Sequence, residues 1–112
     1  MRNDKTFQVI LAKSAVNDLE DIIDYIAQDS PLTAQKLFRQ IKNKIESLNY
    51  SPQRGRYIPE LQKQGILTYR ELIISPWRVM YRIFEDKVYV LAIIDSRRNV
   101  EDILLEKLIK KK

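Results

Sequence analysis

The stretch LTYRELIISPWRVMYRIFEDKVYVLAIIDSRR, residues 67–98, decides the fold. Apolar and polar side chains alternate through residues 67–75 and again through 77–84, the period of a strand whose two faces meet different surroundings. Residues 88–94 (VYVLAII) are apolar throughout and predict a central strand buried on both sides. Ser75-Pro76 and Glu85-Asp86-Lys87 punctuate the run, since proline cannot donate to a ladder and a short polar triplet suits a hairpin loop. Three consecutive antiparallel strands are expected.

In the second of these strands Arg78, Met80, Arg82 and Phe84 project to one face and Val79, Tyr81 and Ile83 to the other. In the first, Thr68, Arg70, Leu72 and Ile74 share a face opposite Tyr69, Glu71 and Ile73. Arg97 and Arg98 leave the end of the third strand on the edge where simple pairing would also put Arg78 and Arg82. This reading gathers several guanidiniums on one patch, which suits an anionic or acidic partner. For any one arginine the alternative is an ordinary solvated side chain on a one-sided sheet.

Working outward, residues 7–11 (FQVIL) predict a short strand, and Ser14 is the expected cap of a helix. Val16, Leu19, Ile22, Ile23 and Ile26 recur at three- and four-residue spacing, with Asp18, Glu20, Asp21, Asp24 and Asp29 away from that stripe. Ser30-Pro31 is a second helix start. Ala34, Leu37, Phe38, Ile41, Ile45 and Leu48 then continue the helical period. Two helices joined by a tight connection form an antiparallel hairpin able to cover one face of the sheet. Residues 50–66 contain Pro52, Gly55, Pro59 and Gly65, break every period, and are expected as a long irregular loop carrying Arg54, Arg56, Tyr57 and Lys63. Residues 99–112 (NVEDILLEKLIKKK) predict a short helix capped by Asn99, with Lys110, Lys111 and Lys112 as a frayed end. The expected architecture is α+β in the order β-α-α-β-β-β-α, a single domain over residues 1–112. A helical hairpin packs on a mostly antiparallel four-stranded sheet, and the first strand joins an edge of the meander.

A chain of 112 residues that is 45% hydrophobic has room for one core. It contains neither cysteine nor histidine, which excludes disulfides, thiolate zinc sites and a histidine-based triad. No metal and no cofactor are expected, and two isolated glycines cannot form a phosphate-cradling loop. The first residues lack an apolar signal core and no run approaches a membrane span, so the chain reads as cytoplasmic with no membrane partner. Residues 1–49 hold seven Lys/Arg and seven Asp/Glu, while residues 50–112 hold thirteen against eight, so the net charge of +5 belongs to the second part. Such a dipolar surface suits steering toward nucleic acid or an acidic protein.

Four phrases in order carry a family likeness: IDYIAQDSP (residues 23–31), RGRYIPEL (54–61), YRELIISPWRVMYRI (69–83) and VYVLAIIDSRR (88–98). Together they resemble the RelE/ParE superfamily of type II toxins over roughly residues 7–108. The resemblance implies a small basic bacterial toxin, neutralised by a cognate antitoxin whose acidic, amphipathic C-terminal segment wraps it, and meeting DNA only through that antitoxin. The superfamily holds two activities. Some members are ribosome-dependent mRNA endoribonucleases that hold the phosphate with basic residues and use a tyrosine or histidine near the C-terminus. Others inhibit DNA gyrase and need no nuclease site. Aligning the strand-ending arginine on Arg97 puts the nuclease tyrosine on Ile103, which can neither donate nor accept a proton. Tyr81, Tyr69 and Tyr57 remain as alternatives. The resemblance therefore points to gyrase binding, with Arg56, Arg70, Arg78, Arg82, Arg97 and Arg98 and the C-terminal helix as target contacts. The nuclease alternative would use Arg56, Arg78, Tyr81 and Arg97 around the mRNA phosphate. Trp77, Met80 and Phe84 are the expected apolar anchors for the antitoxin, and Trp77 suits core packing as well.

Overall fold

The computed structural model describes residues 6–109 of the chain, and the expected Lys110–Lys112 end lies outside them. In chain order the elements are β1 (Gln8–Leu11), α1 (Lys13–Asp29), α2 (Pro31–Glu46), β2 (Arg56–Tyr57), α3 (Pro59–Gln62), β3 (Tyr69–Ile74), β4 (Trp77–Phe84), β5 (Lys87–Asp95) and α4 (Val100–Ile109), with two single 3-10 turns before β2. The α+β class, the helical hairpin and the β3-β4-β5 meander follow the sequence reading. The sheet itself differs: it has five strands, not four, in the order β1-β5-β4-β3-β2, and it is mixed because β1 runs parallel to β5. The fifth strand comes from the supposed irregular loop, where Arg56 and Tyr57 pair with Glu71 and Arg70. A two-residue strand between Gly55 and Pro59 is too short to show a period.

Strand β5 lies inside the sheet but beside its β1 edge, so the central strand is β4. Its unbroken apolar run has a local cause. Tyr81 pairs with Val90 and Met80 with Ala92, which leaves Leu91 as an extra residue and shifts the register. The bulge reverses the alternation. Val88 and Val90 therefore point to the α1–α2 side, and past the bulge Ile93 does so while Ala92 and Ile94 point away.

Where β1 stops, α1 completes the edge of β5. The Ala12 amide donates to the Val90 carbonyl at 2.8 Å, the Ser14 hydroxyl donates to the Leu91 carbonyl at 2.7 Å, and the Ile93 amide donates to an Asp18 carboxylate oxygen at 3.0 Å. Ser14 is thus spent on a strand carbonyl that would otherwise be orphaned. The N-cap position is Ala12, with no side-chain cap. Ser30 and Asn99 do cap as expected, accepting from the amides of Thr33 and Asp102, both at 3.2 Å.

Two cores result. On one face of the sheet α1, α2 and the 3-10 turn that follows α2 bury Leu19, Ile41, Ile45 and Leu48 against Val79, Tyr81, Val88 and Val90. On the other, α3 and α4 bury Ile58, Leu61, Val100 and Leu104 against Met80, Ala92 and Ile94. Among the described residues no helix is long and apolar enough to cross a membrane.

Candidate functional site

The second face of the sheet carries most of the chemistry. At its closed end, Glu71 of β3 lies opposite Met80 in register and within hydrogen-bond reach of Arg78, with its side chain fully buried. Arg78 Nε donates to Glu71 at 2.7 Å, and the two terminal nitrogens form a fork on Glu60 of α3 at 2.9 and 2.7 Å. Arg56 Nε donates to the second Glu71 oxygen at 2.8 Å. These two arginines and two glutamates join β2, β3, β4 and α3. The hydrogen bond from Arg78 holds the Glu60 carboxyl below its ordinary value, and the pairing with Glu60 and Glu71 keeps Arg78 charged against the effect of its burial. Bidentate geometry gives the fork its directionality.

Arg70 projects to the opposite face at the β2 edge. It donates to the Gly55 carbonyl at 2.8 Å and lies 4.4 Å over the Tyr57 ring. There the loop is pinned by Tyr81, whose hydroxyl donates to the Pro52 carbonyl at 2.7 Å and accepts from the Gly55 amide at 3.0 Å. A Cβ on Gly55 would stand 2.5 Å from that hydroxyl and 2.6 Å from the Glu71 carbonyl, so only glycine fits. Tyr81 is fully buried, and desolvation pushes its phenol up.

At the other end the second face is only partly covered, with Tyr69 still packed against the second core. A cross-strand row runs Tyr69, Arg82, Tyr89, followed by Phe84 opposite Lys87 and bordered by Ile10 of β1. Residues directly opposite on one face lie within side-chain reach. Arg82 is half-buried, its guanidinium sits 5.4 Å over the Phe84 ring, and its Nε is buried with no hydrogen-bond partner among the described residues. Phe84 is 49% exposed. The result is a half-open basic surface floored by aromatic rings.

The single arginine patch expected from the sequence is therefore divided. Arg78 is 7% exposed and held by two carboxylates, so it is not a surface contact. Arg56 and Arg70 belong to the β2 edge on opposite faces. Arg97 folds back on Asp95, which it holds down to about 2, and Arg98 is exposed beside it. Of the six, Arg82 alone lies on the open half of the second face. The proposed nuclease set of Arg56, Arg78, Tyr81 and Arg97 is not assembled, because Tyr81 faces α1 and α2 while Arg78 faces α3. Of the apolar anchors, Met80 is 1% exposed inside the second core, Trp77 packs against the first, and Phe84 remains accessible. Sequence reasoning missed Tyr89, Lys87, Glu60 and Glu71. A signal existed for the first two: a two-residue hairpin loop pairs Phe84 with Lys87, and counting back puts Tyr89 opposite Arg82.

The sequence matches the family described as "ParE toxin of type II toxin-antitoxin system, parDE" over residues 9–100. It is 34% identical over 92 residues to Toxin RelE2 of Caulobacter vibrioides (strain ATCC 19089 / CIP 103742 / CB 15), covering 81% of this chain and 97% of the relative. Toxin ParE3 of the same organism is 26% identical over 94 residues, covering 83% and 90%. A solved structure titled "Chromosomal ParDE TA system from P. aeruginosa" has a TM-score of 0.65 at 21% identity, over 80% of this chain and 95% of its own, which shows a common fold.

Proposed function

Because the chain belongs to the ParE toxin family of type II toxin-antitoxin systems, we propose that it acts by gripping DNA gyrase in the cytoplasm and not by cutting RNA. The observation that carries this reading is that Ile103, which has no proton to move, stands at the position where the family's nucleases have their C-terminal tyrosine. Ile103 packs against the second core, and the Tyr81 hydroxyl is buried and engaged at both lone pair and proton. What the open face does offer is a charged and aromatic contact surface: Arg82, Lys87, Tyr69, Tyr89 and Phe84, with Arg98 outside it. Tyrosine and arginine of this kind are the residues that carry most of the energy of protein interfaces.

The cognate antitoxin is proposed to cover the same surface with an acidic, amphipathic segment. Its carboxylates would meet Arg82 and Lys87, and an apolar side chain would lie on Phe84. Neutralisation is then exclusion of the target, and DNA is met only through the antitoxin.

A second reading keeps one specific observation in its favour. Tyr69 and Tyr89 flank Arg82 in register, an arrangement in which phenols stand on both sides of a phosphate-binding guanidinium. This is the form the mRNA endoribonuclease alternative would take in this chain. The test uses protein freed of antitoxin. It is expected to block gyrase supercoiling, to leave translating mRNA uncut, and to lose at least about tenfold in potency on Arg82→Glu. Ribosome-dependent cutting of mRNA that disappears with Tyr69→Phe or Tyr89→Phe would replace the first reading with the second.

A further inference from the structure

The helical hairpin, on the far side of the molecule from the open face, is left with a groove of its own. Between α1 and α2 lies a cleft of about 230 Å³, floored by Leu11, Val16, Ile23 and Phe38 and rimmed on the α1 side by Glu20 and Asp24. Val16 and Phe38 are 37% and 40% exposed, so this apolar floor is in water. The volume is below that of ordinary small-molecule sites and suits one or two protein side chains.

The charges on the two helices are of opposite sign. Helix α1 holds five acidic residues against Lys13 alone, and α2 holds Lys36, Arg39, Lys42 and Lys44 against Glu46 alone. Lys42 follows Phe38 by one helical turn and so shares its side of α2, with Arg39 between the two in sequence. Among the described residues no ion pair joins Glu20 or Asp24 to either of them; Lys42 makes only an exposed contact of 4.0 Å to Glu46. The hairpin thus presents an acidic rim, an apolar seam and a basic rim side by side.

We propose that this groove is a self-association surface, whose occupant is the same groove of a second copy of the chain. A two-fold axis running along the groove lays α1 of each copy on α2 of the other, so acid meets base twice while Val16 and Phe38 close on their counterparts. An axis across the groove would set acid on acid. The charge pattern therefore selects one arrangement of an isologous pair. The proposal is independent of which target the open face takes, since that face stays exposed in the pair.

Sedimentation or light scattering on antitoxin-free protein tests it. The chain, 13.3 kDa as a monomer, is expected to approach twice that mass with a dissociation constant on the order of ten micromolar, as befits a small interface. Glu20→Lys and Lys42→Glu, each on the surface and each checked for an unchanged circular dichroism spectrum, are expected to weaken association at least tenfold on their own. Mixed together, the two variants are expected to form a heterodimer, because each then supplies the charge the other lacks. A protein that stays monomeric to about 1 mM overturns the proposal, as does a mixture that fails to associate. If the variants instead weaken antitoxin capture with no self-association in the parent chain, the groove belongs to the antitoxin and the proposal falls.

Discussion

The two faces of the sheet are closed by different chemistry. Against α1 and α2 the seal is apolar, with Ile41, Leu48, Val79, Val88 and Val90 all fully buried. Against α3 the seal is a fork of charges, Glu60 and Glu71 on Arg78 and Arg56, with a smaller apolar core beside it and Arg82 half-buried at the open end. Apolar packing is non-directional and tolerates small shifts, whereas a bidentate ion pair works in one geometry. The first face supplies stability. The second sets the position of short elements that could not hold themselves, and leaves a polar surface free for a partner.

The sharpest way to break this contrast is Glu71→Ala. It leaves the buried Arg78 with Glu60 as its remaining carboxylate and takes the partner from Arg56, and is expected to cost about 3 kcal/mol, whereas replacing Glu71, Arg78 and Glu60 together by apolar residues of similar size should recover most of that loss. Chemical denaturation measures both; a mild single variant would mean that water reaches Arg78. Next in size, Tyr81→Phe leaves the Pro52 carbonyl and Gly55 amide without their partner and should cost about 1–3 kcal/mol, with the loss visible as faster amide exchange at Gly55.

Ile45→Val on the apolar face should cost about 0.5–1.5 kcal/mol by the same amount at every pH. The charged face should behave otherwise. Glu60 is held below its ordinary 4.5 by Arg78, so the folded chain keeps it ionised more readily than the unfolded chain. Its contribution is fully present above that ordinary value and is lost as pH falls through the depressed one. The protection factor of the Leu61 amide, the factor by which its exchange is slower than that of an unfolded chain at the same pH, should therefore fall in acid in the parent chain and not in Glu60→Gln. Smallest of all, Glu85 turns the β4–β5 hairpin at φ 58°, a left-handed conformation that glycine adopts without strain. Glu85→Gly is expected to raise stability by at most about 1 kcal/mol, seen as a later thermal midpoint.

Much of the fold was legible in the residues because periodicity is a local property. The alternation of TYRELIIS and WRVMYRIF is visible from within each segment, as is the three-four spacing of Leu19, Ile22, Ile23 and Ile26. The bulge at Leu91 was not, because an all-apolar run reads the same whether it is buried twice over or switches sides midway. Of the candidate site, Arg82 and Phe84 were found by face assignment and remain on the open surface. Arg78 and Met80 share that face in sequence and lie inside, since whether a strand residue is exposed depends on which helix lies above it. Ser14 shows the same limit at the scale of one hydroxyl: as a helix cap it is the natural reading, and only the end of β1 gives it a carbonyl on another strand to bond.

By itself the sequence determined the hairpin, the meander, the sign of charge on each part and the family, all of which rest on neighbours in the chain or on the order of short phrases. The tertiary structure alone decided which arginines reach water. A guanidinium is equally polar wherever it falls in the chain. Its role depends on whether carboxylates distant in sequence, such as Glu60 and Glu71 around Arg78, are brought within hydrogen-bond range, or whether, as for the Nε of Arg82, no partner stands among the described residues.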